Sequence, residues 1–278
     1  MNSNDLDAIT RRRFIQALAA AGALASTRPL DAAEPSVHDQ AVALLKPGSE
    51  VVLILLYPGF TALDAIGPHY ALSSMAGSTV RFIAATTDPV VSESGFAVTP
   101  HLSFDQCPQK PDLFLIPGGM AGTIAAMEDP ALMAFVKKTA AASAMMGSIC
   151  TGALILGAAG LLKGYKATSH WQTMELLPIV GAIPVKERVV IDRNLISCGG
   201  VTSGIDLGLE LVRRYRGDLY AKGVQLLAEY EPKPPFPKGG NPATADPKIV
   251  ELLNHMHAEY IGAWGEKLKK IVETSDTK

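Results

Sequence analysis

Val51-Val52-Leu53-Ile54-Leu55-Leu56-Tyr57 is an unbroken apolar run that stops at Pro58-Gly59. A strand with one face in water alternates apolar and polar side chains, so a run apolar at every position is expected to be covered on both faces, as in a parallel sheet flanked by helices. Outward from that run, residues 61–75 carry apolar residues near helical spacing, and Thr79-Val80-Arg81-Phe82-Ile83-Ala84 gives the next strand. Leu113-Phe114-Leu115-Ile116 leads into Pro117-Gly118-Gly119, and residues 130–144 read as a helix. Met145-Met146-Gly147-Ser148-Ile149 is a further short strand ending at Cys150, with Thr151 to Ala159 helical behind it. The alternation predicts an α/β fold, a three-layer sandwich around a mostly parallel central sheet.

Toward the C-terminus, Val189-Val190-Ile191 and Leu195-Ile196-Ser197 flank Asp192-Arg193-Asn194, which reads as a hairpin lying beside the main sheet. Thr202 opens a helix to about Arg214, and Leu219 to Tyr230 is another. Pro232, Pro234, Pro235, Pro237, Gly239, Gly240 and Pro242 then exclude helix or central strand and point to a linker or lid. From Pro247 to about Glu273, Ile249, Leu252, Leu253, Met256, Tyr260, Trp264 and Leu268 fall three and four apart. That is an amphipathic helix, expected on the body or across an oligomer interface.

The N-terminus reads as an address. Thr10-Arg11-Arg12-Arg13-Phe14-Ile15 precedes a short Ala-rich stretch, Ala17 to Leu24, and Ala23-Leu24-Ala25 supplies a small-residue cleavage pattern. The stretch is too short to span a bilayer and resembles a twin-arginine export signal. The organisation is therefore residues 1–33 as signal and spacer, 49–230 as one domain, and 231–278 as a proline-rich segment with a C-terminal helix. Export by that route implies a bacterial periplasm, with no stable membrane anchor after cleavage.

Among 278 residues, 48% are hydrophobic and 19% charged, with a formal charge of -2. This composition excludes disorder and provides no basic field for nucleic acid. The 3 cysteines, Cys107, Cys150 and Cys198, are too few and too scattered for a disulfide framework or a Cys-rich zinc site. Pairing of Cys107 with Cys198 in an oxidising compartment is open, with independence expected. His255 and His257 lie two apart on a helix and point away from each other, so no metal site is visible.

In a doubly wound sheet, ligands gather beyond the carboxyl ends of the strands. Three turns stand out there: Asp64 with Gly67-Pro68, Gly118-Gly119, and Cys150-Thr151-Gly152. Cys150 is flanked by Gly147, Ser148 and Gly152, small neighbours that suit a strained nucleophile elbow at a helix head. The helix dipole is expected to favour the thiolate and lower the thiol pKa. A buried structural cysteine fits the same spacing equally well. Asp64 just after a strand turn reads as a helix N-cap or as an acid.

Asp64-Ala65-Ile66-Gly67-Pro68, Pro117-Gly118-Gly119, Cys150-Thr151-Gly152-Ala153, Ala167-Thr168-Ser169-His170-Trp171 and Gly199-Gly200-Val201-Thr202-Ser203-Gly204-Ile205-Asp206 together resemble the DJ-1/PfpI superfamily, a class I glutamine amidotransferase-like, flavodoxin-like domain. Within it the sequence is most similar to the isonitrile hydratase branch. The resemblance implies that Cys150 attacks the isonitrile carbon and that Asp64 protonates it and then manages protons on the hydrolytic water, giving an N-substituted formamide. It implies Thr151 beside the nucleophile, an anion hole from the Thr151 and Gly119 N–H groups, and a pocket including His170, Gly118, Gly200 and Thr202. It implies no cofactor, a small electrophilic substrate and a homodimer. Where PfpI-type members have a histidine after the nucleophile this chain has Thr151, and where DJ-1-like members have a glutamate it has Asp64. The first departure removes the base of a protease and the second weighs against glyoxalase and deglycase activity; the alternatives are a non-catalytic ligand-binding or stress-response module and a glyoxalase/deglycase-type enzyme using Cys150 and His170. Regulator relatives carry a helix-turn-helix region after the domain, and the segment after residue 230 starts proline-rich.

Overall fold

A computed structural model describes residues 36–44 and 47–276. The export signal read at residues 10–25 lies outside the described residues. The short helix α1 (Val37–Leu44) belongs to an N-terminal unit, Met1–Lys46, separate from the body, Pro47–Lys278.

The body is built on β1 (Val51–Leu55), whose neighbours on either side are parallel: β2 (Thr79–Ala84) and β6 (Leu113–Ile116). β7 (Met145–Ile149) pairs parallel with β6, and β5 (Leu102–Ser103) closes the far edge beside β2. Val52, Leu53, Ile54 and Leu55 are each 0% exposed, so the apolar run is covered on both faces as its pattern requires. The chain also forms a small antiparallel hairpin, β3 (Val90–Val91) with β4 (Ala97–Val98), and a short pair, β8 (Lys166–Ala167) with β9 (Ile183–Pro184).

The hairpin of β10 (Val189–Asp192) and β11 (Leu195–Cys198) does not lie beside the sheet; it completes it. β11 pairs parallel with β7, and β10 is the antiparallel edge of a seven-stranded sheet ordered β10-β11-β7-β6-β1-β2-β5. β11 is buried throughout, and this placement brings Cys198 beside Ile149 at the strand end that carries Cys150.

Helices α2 (Ala62–Ser73), α3 (Met120–Glu128), α4 (Pro130–Ala142), α5 (Gly152–Ala158), α6 (Ser203–Arg216) and α7 (Asp218–Leu227) flank the sheet. α2 and α6 approach closely because Gly67, Gly204 and Gly208 sit at the contact: a Cβ on Gly208 would meet Ala71 Cβ at 2.9 Å and Pro68 Cα at 3.0 Å. Pro68 inside α2 cannot donate to the Asp64 carbonyl, which loosens the first turn of the helix carrying Asp64. The sequence reading missed α3, the β3–β4 hairpin and a 3₁₀ segment, Trp171–Val180. These are short elements whose shape comes from what they pack against.

The C-terminal helix α8 (Pro247–Asp276) divides its apolar stripe. Trp264 and Leu268 are 3% and 0% exposed against the body, while Ile249, Leu252 and Met256 near its start are 51%, 52% and 62% exposed. Trp264 and Leu268 are the buried large side chains of this thirty-residue helix, with Ile261 and Val272 packed partly buried against the same core. Trp264→Ala is expected to destabilise the fold by roughly 3–5 kcal/mol, the usual cost of emptying a buried aromatic site. Urea denaturation checks this; a loss near zero would mean that α8 rests on the body without being part of its core.

Candidate active site

Cys150 follows β7 and precedes α5 with φ 56, in the left-handed region that non-glycine residues rarely occupy. The turn is tight because Gly152 lies against the Ile116 and Pro117 carbonyls, where a Cβ would collide. The strained backbone is pinned by hydrogen bonds on both sides: Cys150 N–H donates to Gly199 O (2.9 Å), and Ser169 Oγ donates to Cys150 O (3.0 Å). The residue is 6% exposed.

The thiol environment differs from the sequence expectation. Burial, and then the Asp64 charge, push the Cys150 thiol well above its ordinary range; the backbone N–H groups of Val201 and Thr151 pull it down by a smaller amount. α5 has only 7 residues, and desolvation of the buried thiol outweighs what its dipole offers. Val201 holds its N–H toward the sulfur at φ 29, a strained conformation for a β-branched residue.

Asp64 lies in the first turn of α2 and is 0% exposed. The N-cap position belongs to Thr61, so the capping reading of Asp64 does not hold. Its Oδ2 accepts from Gly118 N–H across the sheet end (2.8 Å), while Oδ1 is buried with no hydrogen-bond partner. Burial raises the carboxyl to about 8 against the pull of the Gly118 N–H, and Glu93 adds its negative charge in the same direction. The Cys150 thiol is near enough to favour the carboxylate slightly, without the geometry of a hydrogen bond. Because Oδ2 is occupied as an acceptor, the proton of the neutral acid belongs on Oδ1.

Gly119 was expected to supply a second anion-hole donor. Its N–H instead donates to Thr151 Oγ1 (3.1 Å), and Thr151 Oγ1 also bonds Thr123 Oγ1 (2.8 Å). The two N–H groups turned to the sulfur are those of Thr151 and Val201, so the anion they favour is the thiolate. Tyr57, buried below, ties its hydroxyl to Pro117 O (2.8 Å). Val201 lies inside the Gly199-to-Asp206 motif but had no assigned role, and Thr123 and Tyr57 lie outside the site motifs; each acts through a tertiary contact.

His170, Gly200 and Thr202 stand apart from this pair. They line a cavity of about 1160 Å³ whose opposite wall is formed by Asn241 and His257 of the C-terminal segment. Cys150, Asp64 and Gly118 are not in its walls; it adjoins the thiol turn through Ser169, Gly199 and Val201. His170 Nδ1 accepts from Gln172 N–H at 3.4 Å, and Gln172 Nε2 contacts His257 Nδ1 at 3.0 Å. Burial, and then His257, lower the His170 pKa. Thr202 Oγ1 accepts from Arg188 Nη2 (3.3 Å). Cys107 and Cys198 are free thiols, like Cys150.

Residues 50–214 match the model of the DJ-1/PfpI family. The chain is 44% identical over 197 residues to an isonitrile hydratase of Pseudomonas putida, covering 71% of this chain and 85% of that one. It is 32% identical over 171 residues to a deglycase of Thermococcus kodakarensis, covering 61% and 93% of the two chains. Among solved structures, a ThiJ/PfpI family protein from Pseudomonas syringae superposes with a TM-score of 0.79 at 40% identity, covering 86% of this chain and 97% of that one.

The buried acid carries a stability consequence. An unfolded aspartate ionises near its ordinary value of 3.8, whereas folded Asp64 keeps its proton to about 8. Between those values the folded state binds more protons, so stability falls as pH rises through that window. Asp64→Asn removes the titration. Thermal melts of the two proteins between about pH 5 and about pH 9 should show the variant gaining on the wild type as pH rises, and parallel curves would mean Asp64 is not held neutral.

Proposed function

The chain belongs to the DJ-1/PfpI family, and from that premise we propose that it is a cysteine-dependent hydratase converting an isonitrile and water to an N-substituted formamide. The observation that carries this reading is Asp64: a buried acid, raised to about 8, whose Oδ1 has no partner and whose neighbour is a thiol at a strained turn. An isonitrile carbon needs a nucleophile and a proton at one atom. This pair supports both.

With both groups raised, the pair carries two protons at neutral pH, and its reactive form carries one. In that form the thiolate, held by the Thr151 and Val201 N–H groups, attacks the isonitrile carbon. The lone pair developing on carbon takes the proton from Asp64 Oδ1, leaving a thioimidate on Cys150 and a carboxylate on Asp64. The carboxylate removes a proton from water as the water oxygen adds to that carbon, and passes the proton to nitrogen. Collapse of the tetrahedral adduct expels sulfur, yields the formamide and returns one proton to the pair. The substituent on nitrogen is placed in the adjoining cavity, with His170 and Gly200 in its wall. The 44% identity to an isonitrile hydratase supports the same assignment.

Incubation of the purified protein with cyclohexyl isocyanide should give N-cyclohexylformamide by mass spectrometry. Cys150→Ala and Asp64→Asn are each expected to lower its formation by at least about 100-fold, the usual scale for losing a nucleophile or a general acid. In the wild type kcat/KM should rise with pH toward a limb near 8, as the pair loses its first proton. No formamide, with Cys150 still alkylated by iodoacetamide, would discard isonitrile as substrate and favour another electrophile.

We also propose export of the folded protein to a bacterial periplasm by the twin-arginine route, supported by Arg11-Arg12 ahead of the short apolar stretch. Replacing both arginines by lysine should retain the protein in the cytoplasmic fraction. Unchanged periplasmic recovery of that variant would reject the route.

A further inference from the structure

Glu93 follows β3 in the small hairpin, and neither motif nor spacing marks it in the sequence. Its backbone N–H donates to Phe60 O (3.0 Å). Its Oε1 accepts from Thr61 Oγ1 (2.9 Å), and its Oε2 accepts from Met120 N–H (3.0 Å). Thr61 is the N-cap residue of α2, one turn before Asp64, and Met120 is the first residue of α3, directly after Gly118-Gly119. One carboxylate therefore spans the two turns that meet at the Gly118 N–H to Asp64 Oδ2 bond, and Thr61 N–H donates to Gly118 O (2.8 Å) between the same turns.

We propose that Glu93 is a positioning residue for Asp64: it braces the helix that carries the acid to the Gly118-Gly119 turn and holds a negative charge beside it. The consequence for turnover rests on the hydratase reading; the brace and the charge act on the free protein.

The surroundings of Asp64 leave the charge uncompensated. Among the described residues, the titratable groups that face it are Glu93, the Cys150 and Cys198 thiols and the Tyr57 hydroxyl, with no cation among them. After burial, Glu93 is what pushes Asp64 further toward its neutral form, and the same charge acts on Tyr57. Glu93 itself is exposed at the rim, so part of this interaction runs through solvent and is screened by salt.

Glu93→Gln separates the two effects. The amide oxygen can still accept from Met120 N–H, and the amide NH₂ can donate to the Thr61 hydroxyl, so the brace survives while the charge is lost. The Asp64 carboxyl is followed by carbon-13 NMR in aspartate-labelled protein without substrate, its resonance identified by its absence in Asp64→Asn. In Glu93→Gln the carboxyl should titrate about half a pH unit or more below the wild type, with the gap narrowing as salt is added. The pH limb of hydration should move with it. Thr61→Val removes one strut and keeps the charge; it should leave the titration in place and lower kcat about threefold or more through misplacement of the acid.

Asp64 titrating at the same pH in Glu93→Gln and wild type would overturn the charge effect, and an unchanged kcat in Thr61→Val would overturn the brace. A wild type that hydrates no isonitrile would remove the hydratase reading, while the substrate-free titration would still decide on Glu93.

Discussion

The hydrogen bond from Gly118 N–H to Asp64 Oδ2 joins two turns that are distant in sequence, and the chemistry of the site depends on that join. It fixes one carboxyl oxygen as an acceptor, so the proton of the neutral acid is confined to the other. Burial works against the pull of that N–H and outweighs it: with Asp64 0% exposed and no cation facing it among the described residues, ionisation costs enough to hold the proton to about 8. A carboxyl in water could not act as a proton donor at neutral pH. In the proposed reaction the exclusion of water keeps this one protonated, and the bond to Oδ2 leaves Oδ1 to carry the proton.

The same environment works against the thiol. For the proposed reaction Cys150 must become an anion in a place where anions are disfavoured, and the Thr151 and Val201 N–H groups offset only part of that cost. The arrangement is two acids in one dry site, in which the Asp64 charge makes the thiol harder to ionise while the thiol slightly favours the carboxylate. Such a pair gains by passing a single proton between its members and the substrate, because no step then requires two negative charges. The backbone is strained at both Cys150 and Val201, with φ values of 56 and 29, and the Val201 N–H is turned to the Cys150 sulfur.

The sheet was legible from sequence where burial dictated composition. A run such as Val51 to Tyr57 can only be covered on both faces, and the turns after β1, β6 and β7 follow from its parallel neighbours. The hairpin from Val189 to Cys198 was misplaced because a local turn signal says where a chain reverses and nothing of what its strands pair with. The residues that could be quoted at the site, Asp64, Cys150, Thr151, Gly118 and Gly119, do come together, but their contacts could not be read. Gly119 N–H was expected to be free and is taken by a threonine hydroxyl. The thiol was expected to be acidic because a helix dipole is visible in sequence, whereas desolvation by distant residues is not. Glu93 was invisible for the same reason: it lies in the loop between the two-residue strands β3 and β4, and its link to the site comes from where that loop docks.

The central claim is that Asp64 delivers its proton as Cys150 bonds to carbon. Rapid acid quench of the protein during turnover of cyclohexyl isocyanide, followed by intact mass and peptide mapping, tests this most directly. The account requires an added mass of one isonitrile on Cys150 in the wild type and none in Asp64→Asn. An adduct that accumulates normally in Asp64→Asn, or formamide produced with Cys150 unmodified throughout, would contradict it.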